Sequence, residues 1–221
     1  MDMRPIPIDT VVKTTLFPFL MAEGAWARWR AGELPEPPGP RNGVSGSGAG
    51  LSLLLVGDSS AAGVGAPSQD AALMGQLIEE LKDDYRLRWR VEAKSGATTA
   101  STLASLERVA PERFDVVVVA LGVNDITRGL NLTRLLRRRA RLYALLKTRF
   151  RAKRIIASGL PPVGNFPLLP QPLRWTLGRQ TQRFDAALHE QARDLGVDYM
   201  PFTIPYRREL MASDGFHAAP E

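Results

Sequence analysis

The chain has 221 residues and a mass of 24.3 kDa, which is the length of one ordinary domain with a short extension. Hydrophobic residues make up 44% and charged residues 24%, as in globular proteins, so disordered, collagen-like and coiled-coil classes are excluded. Cysteine is absent, which excludes disulfides, a thiol nucleophile and cysteine-based metal sites. Only His189 and His217 remain for chemistry that needs an imidazole.

The charge balance is basic, with 29 Lys and Arg against 23 Asp and Glu and a net charge of +6. The densest basic run, Arg137 to Arg139 with Arg141, lies in a segment whose leucines recur at helical spacing. We interpret it as the solvated face of a helix, with an anionic surface or partner as the alternative. A nucleic-acid partner is not expected.

Residues 1–33 form an apolar, amphipathic segment. The run from Thr14 to Ala22 is far shorter than the ~20 residues of a membrane span. Ala25 and Ala27 have the small-x-small form of a signal cleavage site, but Pro18 interrupts the apolar run, so export is disfavoured. We expect the segment to pack on the domain, or residues 14–30 to touch a membrane surface. The expected location is cytoplasmic or membrane-peripheral.

Residues 34–50 are rich in proline and glycine and show neither strand nor helix periodicity, so they are predicted to be a linker. The domain proper is predicted to span residues 51–221.

Strand and helix patterns alternate through this domain. Phe114 to Leu121 contains four consecutive valines and is predicted to be a central strand buried on both faces. Such alternation predicts an α/β fold, a three-layer α/β/α sandwich with a mostly parallel five-stranded sheet. The predicted strands are Leu51–Gly57, Tyr85–Ala93, Phe114–Leu121, Arg154–Ser158 and Val197–Phe202; the predicted helices are Asp70–Asp83, Thr98–Val109, Arg134–Phe150 and Arg174–Leu195.

Polar clusters follow the predicted strands where each strand ends. Gly57-Asp58-Ser59 follows the first strand, Ser95-Gly96-Ala97 the second, and Gly122-Val123-Asn124-Asp125 the third. Asp214-Gly215-Phe216-His217 comes after the last strand. Ligands of parallel α/β sheets bind at the carboxyl ends of the strands, so serine, carboxylate and imidazole are expected at one edge.

These four clusters resemble the motifs of the SGNH hydrolases, also called GDSL esterases and lipases. Gly57-Asp58-Ser59 matches the GDS block, Gly96 the glycine of the second block, Gly122-x-Asn124-Asp125 the GxND block and Asp214-x-x-His217 the DxxH block. The resemblance runs from Leu51 to the C-terminus and points to small bacterial single-domain members. It implies a flavodoxin-like sandwich that hydrolyses small-molecule esters or thioesters without a metal or cofactor.

The resemblance also implies roles. Ser59 is the nucleophile, and the oxyanion hole consists of the backbone N–H groups of Ser59 and Gly96 and the side-chain amide of Asn124. A serine hydroxyl needs a base, and His217 is favoured over the mid-helix His189 because Asp214 stands three residues before it. The predicted catalytic residues are therefore Ser59, Asp214 and His217.

Plainer interpretations stand beside these. Gly96 is also typical of an ordinary turn at the end of a strand. Asn124 is also typical of a loop residue whose side-chain amide forms hydrogen bonds within the loop. Asp58 and Asp125 are assigned to loop geometry. Residues 160–175 are apolar and rich in proline, and either wall an acyl pocket or form a rigid connector.

The family usually continues into a closing helix after the histidine, whereas this chain ends at Glu221, so that helix is expected to be missing. A serine esterase is the favoured function. An acyltransferase using the same acyl-enzyme, and a weakly catalytic module that docks on a membrane or partner, are the alternatives. The oligomeric state is left open.

Overall fold

The computed structural model describes residues 8–32, 34–203, 211–212, 214–215 and 217. Six strands and eight α-helices occur in this part of the chain, with one short 3-10 turn at Val163–Asn165. The strands are β1 (Asn42–Ser45), β2 (Ala49–Gly57), β3 (Tyr85–Ala93), β4 (Val116–Ala120), β5 (Arg154–Ser158) and β6 (Asp198–Met200). The helices are α1 (Ile8–Thr15), α2 (Phe17–Ala31), α3 (Ser59–Ala62), α4 (Leu73–Leu81), α5 (Thr99–Leu106), α6 (Val123–Thr127), α7 (Leu132–Thr148) and α8 (Leu173–Asp194).

The strands form one sheet in the order β1-β3-β2-β4-β5-β6. All neighbouring pairs are parallel except β1 and β3, which are antiparallel. The predicted α/β fold with a mostly parallel sheet is confirmed. The predicted number of five strands is wrong, because the segment 34–50 contributes β1 and the first two residues of β2.

The two faces of β2 show why the sheet is covered on both sides. Leu54 and Val56 pack in one cluster with Leu106 of α5 and Leu142 of α7. Leu53 and Leu55 point the other way, into a cluster with Met74 of α4. Because successive side chains of a strand alternate between faces, a continuous apolar run such as LSLLLV is buried only between two layers of helices.

The N-terminal helices pack on α8. Leu20 and Ala27 of α2 are buried with Leu173 of α8 and with the loop before it. The Glu23 carboxylate accepts a hydrogen bond of 3.0 Å from the Leu173 N–H, which satisfies a backbone donor in the first turn of α8. One face of α2 therefore docks on the domain, as the sequence leads us to expect.

Helix α7 corrects the interpretation of the basic run. Arg137 and Arg141 are exposed, as a solvated face requires. Arg139 is only 1% exposed and lies among the apolar side chains of the same helix. The prediction is thus wrong at Arg139, because its position falls on the inward face between Leu135 and Leu142.

Candidate active site

The predicted nucleophile lies where β2 ends. Ser59 is the first residue of α3, and Asp58 caps that helix by accepting hydrogen bonds from the Ser60 N–H (3.1 Å) and the Ser60 hydroxyl (2.9 Å). The Ser60 hydroxyl is thereby engaged away from the histidine. Of the two serines in this turn, Ser59 is the one whose hydroxyl contacts His217.

The structure brings Ser59, His217 and Asp214 together. His217 Nε2 lies 2.8 Å from the Ser59 hydroxyl oxygen, and His217 Nδ1 lies 2.5 Å from Asp214 Oδ2. The other oxygen of Asp214 accepts the backbone N–H of His217 at 3.0 Å. Because both carboxylate oxygens hold the same residue, the imidazole is oriented with Nε2 toward the serine.

A tight turn holds this pair. The Ala212 N–H donates to the His217 carbonyl at 2.8 Å, and the Gly215 N–H donates to the Ala212 carbonyl at 2.9 Å. The Asp214 side chain is only 3% exposed against 19% for His217. The carboxylate is therefore shielded from water, which strengthens its interaction with the ring.

The predicted oxyanion donors lie on the loops after β2 and after its two neighbours in the sheet. Gly96 follows β3 with a φ of 72°, a conformation that favours glycine. Within the described part of the chain, neither the Ser59 N–H nor the Gly96 N–H donates to a backbone carbonyl of a turn, loop or helix cap. Asn124 donates one hydrogen of its amide to the Ala97 carbonyl at 3.1 Å, which fixes the plane of that amide.

Asp125 ties two of these loops together. Its Oδ2 accepts hydrogen bonds from the Thr99 N–H (2.9 Å) and the Thr99 hydroxyl (2.8 Å) at the start of α5. The carboxylate thus joins the loop after β4 to the loop after β3. This contact agrees with the structural role predicted for Asp125.

Asp58 is a buried carboxyl group behind the serine. Burial is the largest influence and raises the pKa of Asp58 above its ordinary value. The hydrogen bonds from Ser60 and the nearby charges of His217 and Arg139 act in the opposite direction. The group is a helix cap rather than an exposed acid.

Comparison with protein families shows the family of the chain. The model of the GDSL-like lipase/acylhydrolase family matches residues 55–221, most of the chain. The chain belongs to this family. Its assignment as a GDSL-type ester hydrolase is thereby confirmed at the level of the family. Among curated proteins, none matches the chain at a significant level.

Solved structures share the fold. The esterase EstA from Pseudoalteromonas sp. is 21% identical, with a TM-score of 0.58 over 77% of this chain and 88% of that one. The SGNH-hydrolase family esterase AlinE4 is 23% identical, with a TM-score of 0.60 over 76% and 85%. The acetylxylan esterase Axe2 from Geobacillus stearothermophilus is 18% identical, with a TM-score of 0.59 over 78% and 89%.

In this GDSL chain a buried arginine supports the loop after β4. Arg139 Nη2 donates a hydrogen bond of 2.8 Å to the Leu121 carbonyl. Gly122 follows with a φ of 137°, and a β-carbon there would lie 2.6 Å from Leu160 Cδ2 and 3.3 Å from Arg139 Nη2. The guanidinium therefore packs directly against the glycine that begins the GxND block.

A second support comes from residues 34–41, which we call the strap. Glu36 Oε1 accepts the N–H of Ser95 at 2.6 Å, beside Gly96. Its other oxygen accepts from Arg41 Nη2 at 2.8 Å, and Arg41 Nη1 donates to the Ala93 carbonyl at 2.8 Å. The strap thus holds the chain at two points just before Gly96.

The strap also touches the loop that carries the serine. Gln69 Nε2 donates to the Pro37 carbonyl at 3.3 Å and to the Ala62 carbonyl, at the end of α3, at 2.9 Å. A β-carbon at Gly63 would lie 3.0 Å from a ring carbon of Pro37. Part of the segment predicted to be a linker is therefore packed against two loops of the site.

Arg128 is an exposed cation beside one of the predicted oxyanion donors. Its Nη2 donates to the Gly96 carbonyl at 2.8 Å. Sequence analysis missed Arg128, Arg139, Glu36 and Arg41. Only Arg139 had a signal in the sequence, its spacing of four and three residues from Leu135 and Leu142.

The remaining predicted features lie elsewhere. His189 is exposed on α8, and its ring stacks on Tyr199 with centroids 4.9 Å apart, in keeping with the predicted surface role. The loop of residues 160–175 buries Leu160, Val163 and Phe166 in the cluster that contacts α2. These contacts favour the connector interpretation over an acyl pocket. The predicted loss of a closing helix falls on residues outside the described part.

Proposed function

We propose that the protein hydrolyses carboxylic esters or thioesters through an acyl-enzyme on Ser59. The observation that carries the proposal is the chain of short contacts from the Ser59 hydroxyl to His217 and on to Asp214. A serine hydroxyl is a weak nucleophile until an adjacent base takes its proton, and this arrangement supplies the base and its partner.

In the proposed first step, the Ser59 oxygen attacks the ester carbonyl while its proton passes to His217 Nε2. Asp214 stabilises the imidazolium that results, and its contact with Nδ1 keeps the reactive nitrogen toward the serine. The N–H groups of Ser59 and Gly96 and the Asn124 amide stabilise the oxyanion. When the tetrahedral intermediate collapses, His217 gives its proton to the leaving alcohol or thiol.

In the second step, water attacks the acyl-enzyme and loses its proton to His217. The acid then leaves and Ser59 recovers its proton. An alcohol acceptor in place of water would make the same acyl-enzyme an acyltransferase. The substrate, water and the three side chains supply every bond and proton of the two steps, so the reaction needs no further reagent.

Labelling with a fluorophosphonate probe tests the nucleophile. The solved structure of the Pseudoalteromonas esterase EstA shows that enzyme inhibited by monoethylphosphonate, which supports the choice of a phosphonate reagent. We expect Ser59→Ala to abolish both labelling and turnover. Ser60→Ala is the matched control, because that hydroxyl bonds Asp58, and it should keep both. Labelling of Ser59→Ala would reject the assignment.

Rate measurements on a substrate series identify the acyl and leaving groups. A series of p-nitrophenyl esters of increasing acyl length, with and without added alcohol, separates hydrolysis from transfer and defines the acyl preference. EDTA is expected to leave these rates unchanged. We also propose that the protein is cytoplasmic and that residues 14–30 allow peripheral contact with a membrane.

A further inference from the structure

Helix α2 is apolar on two opposite faces. Leu20 and Ala27 pack against the domain, yet Phe17, Phe19, Met21, Trp26 and Trp29 are exposed, Trp29 to 78%. A large apolar surface that is exposed on a folded domain usually marks an interaction site. Of the fourteen large hydrophobic side chains exposed among the described residues, eight lie between Ile8 and Trp29.

The outward face has a defined pattern. With 3.6 residues per turn, an arc of roughly 160° runs from Met21 through Trp29 to Phe19 and contains no charged residue. Arg28 and Arg30 fall just outside its two margins. Arg30 also lies over the Trp26 ring, with its guanidinium carbon 5.8 Å from the ring centroid. We call this arc with its two arginines the outer face of α2.

This pattern suits a lipid interface. Tryptophan and phenylalanine insert at the boundary of headgroups and acyl chains, while arginine stays beside the lipid phosphates. The acid within α2, Glu23, is bound to the Leu173 N–H on the packed face and does not oppose an anionic surface. Helix α2 has 15 residues, and no helix in the described part of the chain is long and apolar enough to cross a bilayer.

We propose that the outer face of α2 binds the surface of an anionic membrane, with the helix lying in the plane of the interface. Charge favours this occupant over a second copy of the chain. Two copies that met through α2 would bring the Arg28 and Arg30 pairs together, and each chain carries a net charge of +6.

The position of α2 links this surface to the candidate site. Its inner residues share a cluster with Phe166 and Leu169. Between them in the chain, Pro167 and Leu168 approach Gly215 of the Asp214–His217 turn, each 3.7 Å from where a β-carbon at Gly215 would lie. The membrane-binding helix thus rests on the loop that flanks the candidate catalytic turn.

Co-sedimentation of the full chain with vesicles tests the proposal. We expect binding to vesicles of phosphatidylcholine with phosphatidylglycerol, weaker binding in high salt, and little binding to phosphatidylcholine alone. In the double variant Trp26→Ser/Trp29→Ser, the affinity for these vesicles should fall by at least about tenfold. Val44→Ser removes an exposed apolar side chain from β1, at the opposite edge of the sheet from β6, and should not change binding.

A second pair of variants separates α2 from net charge. Arg28→Gln/Arg30→Gln and Arg137→Gln/Arg141→Gln each remove two positive charges, but only the first pair flanks the outer face. We expect the first to weaken binding and flatten its salt dependence, and the second to have less effect. Equal losses would mean that overall charge attracts the lipid, and the proposal would be wrong.

Sedimentation velocity without lipid supplies the remaining outcome. A monomer that pellets with anionic vesicles supports the proposal; a dimer that dissociates in Trp26→Ser/Trp29→Ser would identify a second copy as the occupant and overturn it. No pelleting of the folded chain, checked by circular dichroism and thermal unfolding, would also overturn it. Ser59→Ala should bind vesicles normally, so this test fails or succeeds independently of the proposed hydrolysis.

Discussion

Two regions of the molecule make the candidate site, and they differ in how the chain supplies them. The loops after β2, β3 and β4 carry Ser59, Gly96 and Asn124, each within a few residues of a strand end. The supports reach these loops from elsewhere: the strap meets Ser95 across 59 residues of chain, and Arg139 meets Leu121 across 18. Reacting groups are thus local to motifs, whereas their positions depend on distant contacts.

The largest expected effect is the loss of the proposed base. His217→Ala should lower kcat by about 10⁴-fold or more, because the Ser59 hydroxyl then lacks a proton acceptor. His189→Ala is the matched control on α8 and should stay within about threefold of the parent. Steady-state rates on a soluble p-nitrophenyl ester measure both. Comparable losses in the two variants would show that the base is misassigned.

Asn124→Ala comes next. Loss of one oxyanion donor should reduce kcat by roughly 10²–10³ with little change in KM, because the donor acts on charge that develops only in the transition state. Asn165→Ala, at an exposed turn, is the control. An effect confined to KM would instead place Asn124 in substrate binding.

Arg139→Met tests the support behind the loop after β4. The buried Leu121 carbonyl loses its charged donor, at a cost of about 1–3 kcal/mol in the free energy of unfolding, and kcat should fall about tenfold as Gly122 and Asn124 shift. Arg141→Met, exposed on the same helix, removes the same charge and should change neither quantity appreciably. Urea unfolding and steady-state kinetics measure them.

Stability against pH gives Arg139→Met a second readout through Asp58. A carboxyl group whose pKa is raised by folding binds protons more tightly in the folded state. The free energy of unfolding therefore falls as the pH rises from the ordinary pKa of 3.8 toward the raised pKa of the folded protein. Arg139 lowers the pKa of Asp58 and so limits this fall. Urea unfolding at a series of pH values should show a larger total fall in Arg139→Met, continuing to a higher pH than in the parent. Parallel curves would mean that the two groups do not interact.

The smallest effect is expected at the strap. Glu36→Ala removes the acceptor of the Ser95 N–H, so Gly96 is less well positioned and kcat should fall about three- to tenfold. Glu36→Gln keeps an acceptor oxygen and should recover much of the rate. Glu112, which forms ion pairs with Arg88 and Arg90, is a control that does not contact the strap, and Glu112→Ala should leave kcat unchanged. Equal values of kcat in Glu36→Ala and the parent would show that the strap packs against the site without positioning Gly96.

The strand missed by sequence analysis shows where pattern reading fails. β1 has only four residues, NGVS, and lies on the edge of the sheet with half of its residues exposed, so it carries no apolar alternation. Its pairing depends on β3: the Trp89 indole donates to the Ser45 hydroxyl at 3.0 Å, and a β-carbon at Gly43 would lie 2.9 Å from the same ring. Glycine there permits the ring to cover the strand.

The sequence by itself determined the α/β alternation, because the strands buried on both faces must be apolar without a break and the helices must carry a periodic apolar stripe. The four motifs could also be recognised in the sequence, because a glycine or an acid at the end of a strand forms the turn that follows it. The elements predicted from residue 51 onward are present, with ends displaced by at most three residues.

Tertiary structure alone decided the rest. The contact of His217 with Ser59 joins residues 158 positions apart, and only the folded chain sets their distance. Glu36 and Arg41 are polar residues in a segment rich in proline and glycine, and nothing local distinguishes a free linker from one whose donors and acceptors meet Ser95 and Ala93. Long-range hydrogen bonds leave no period in the sequence, so such supports become visible only in the folded chain.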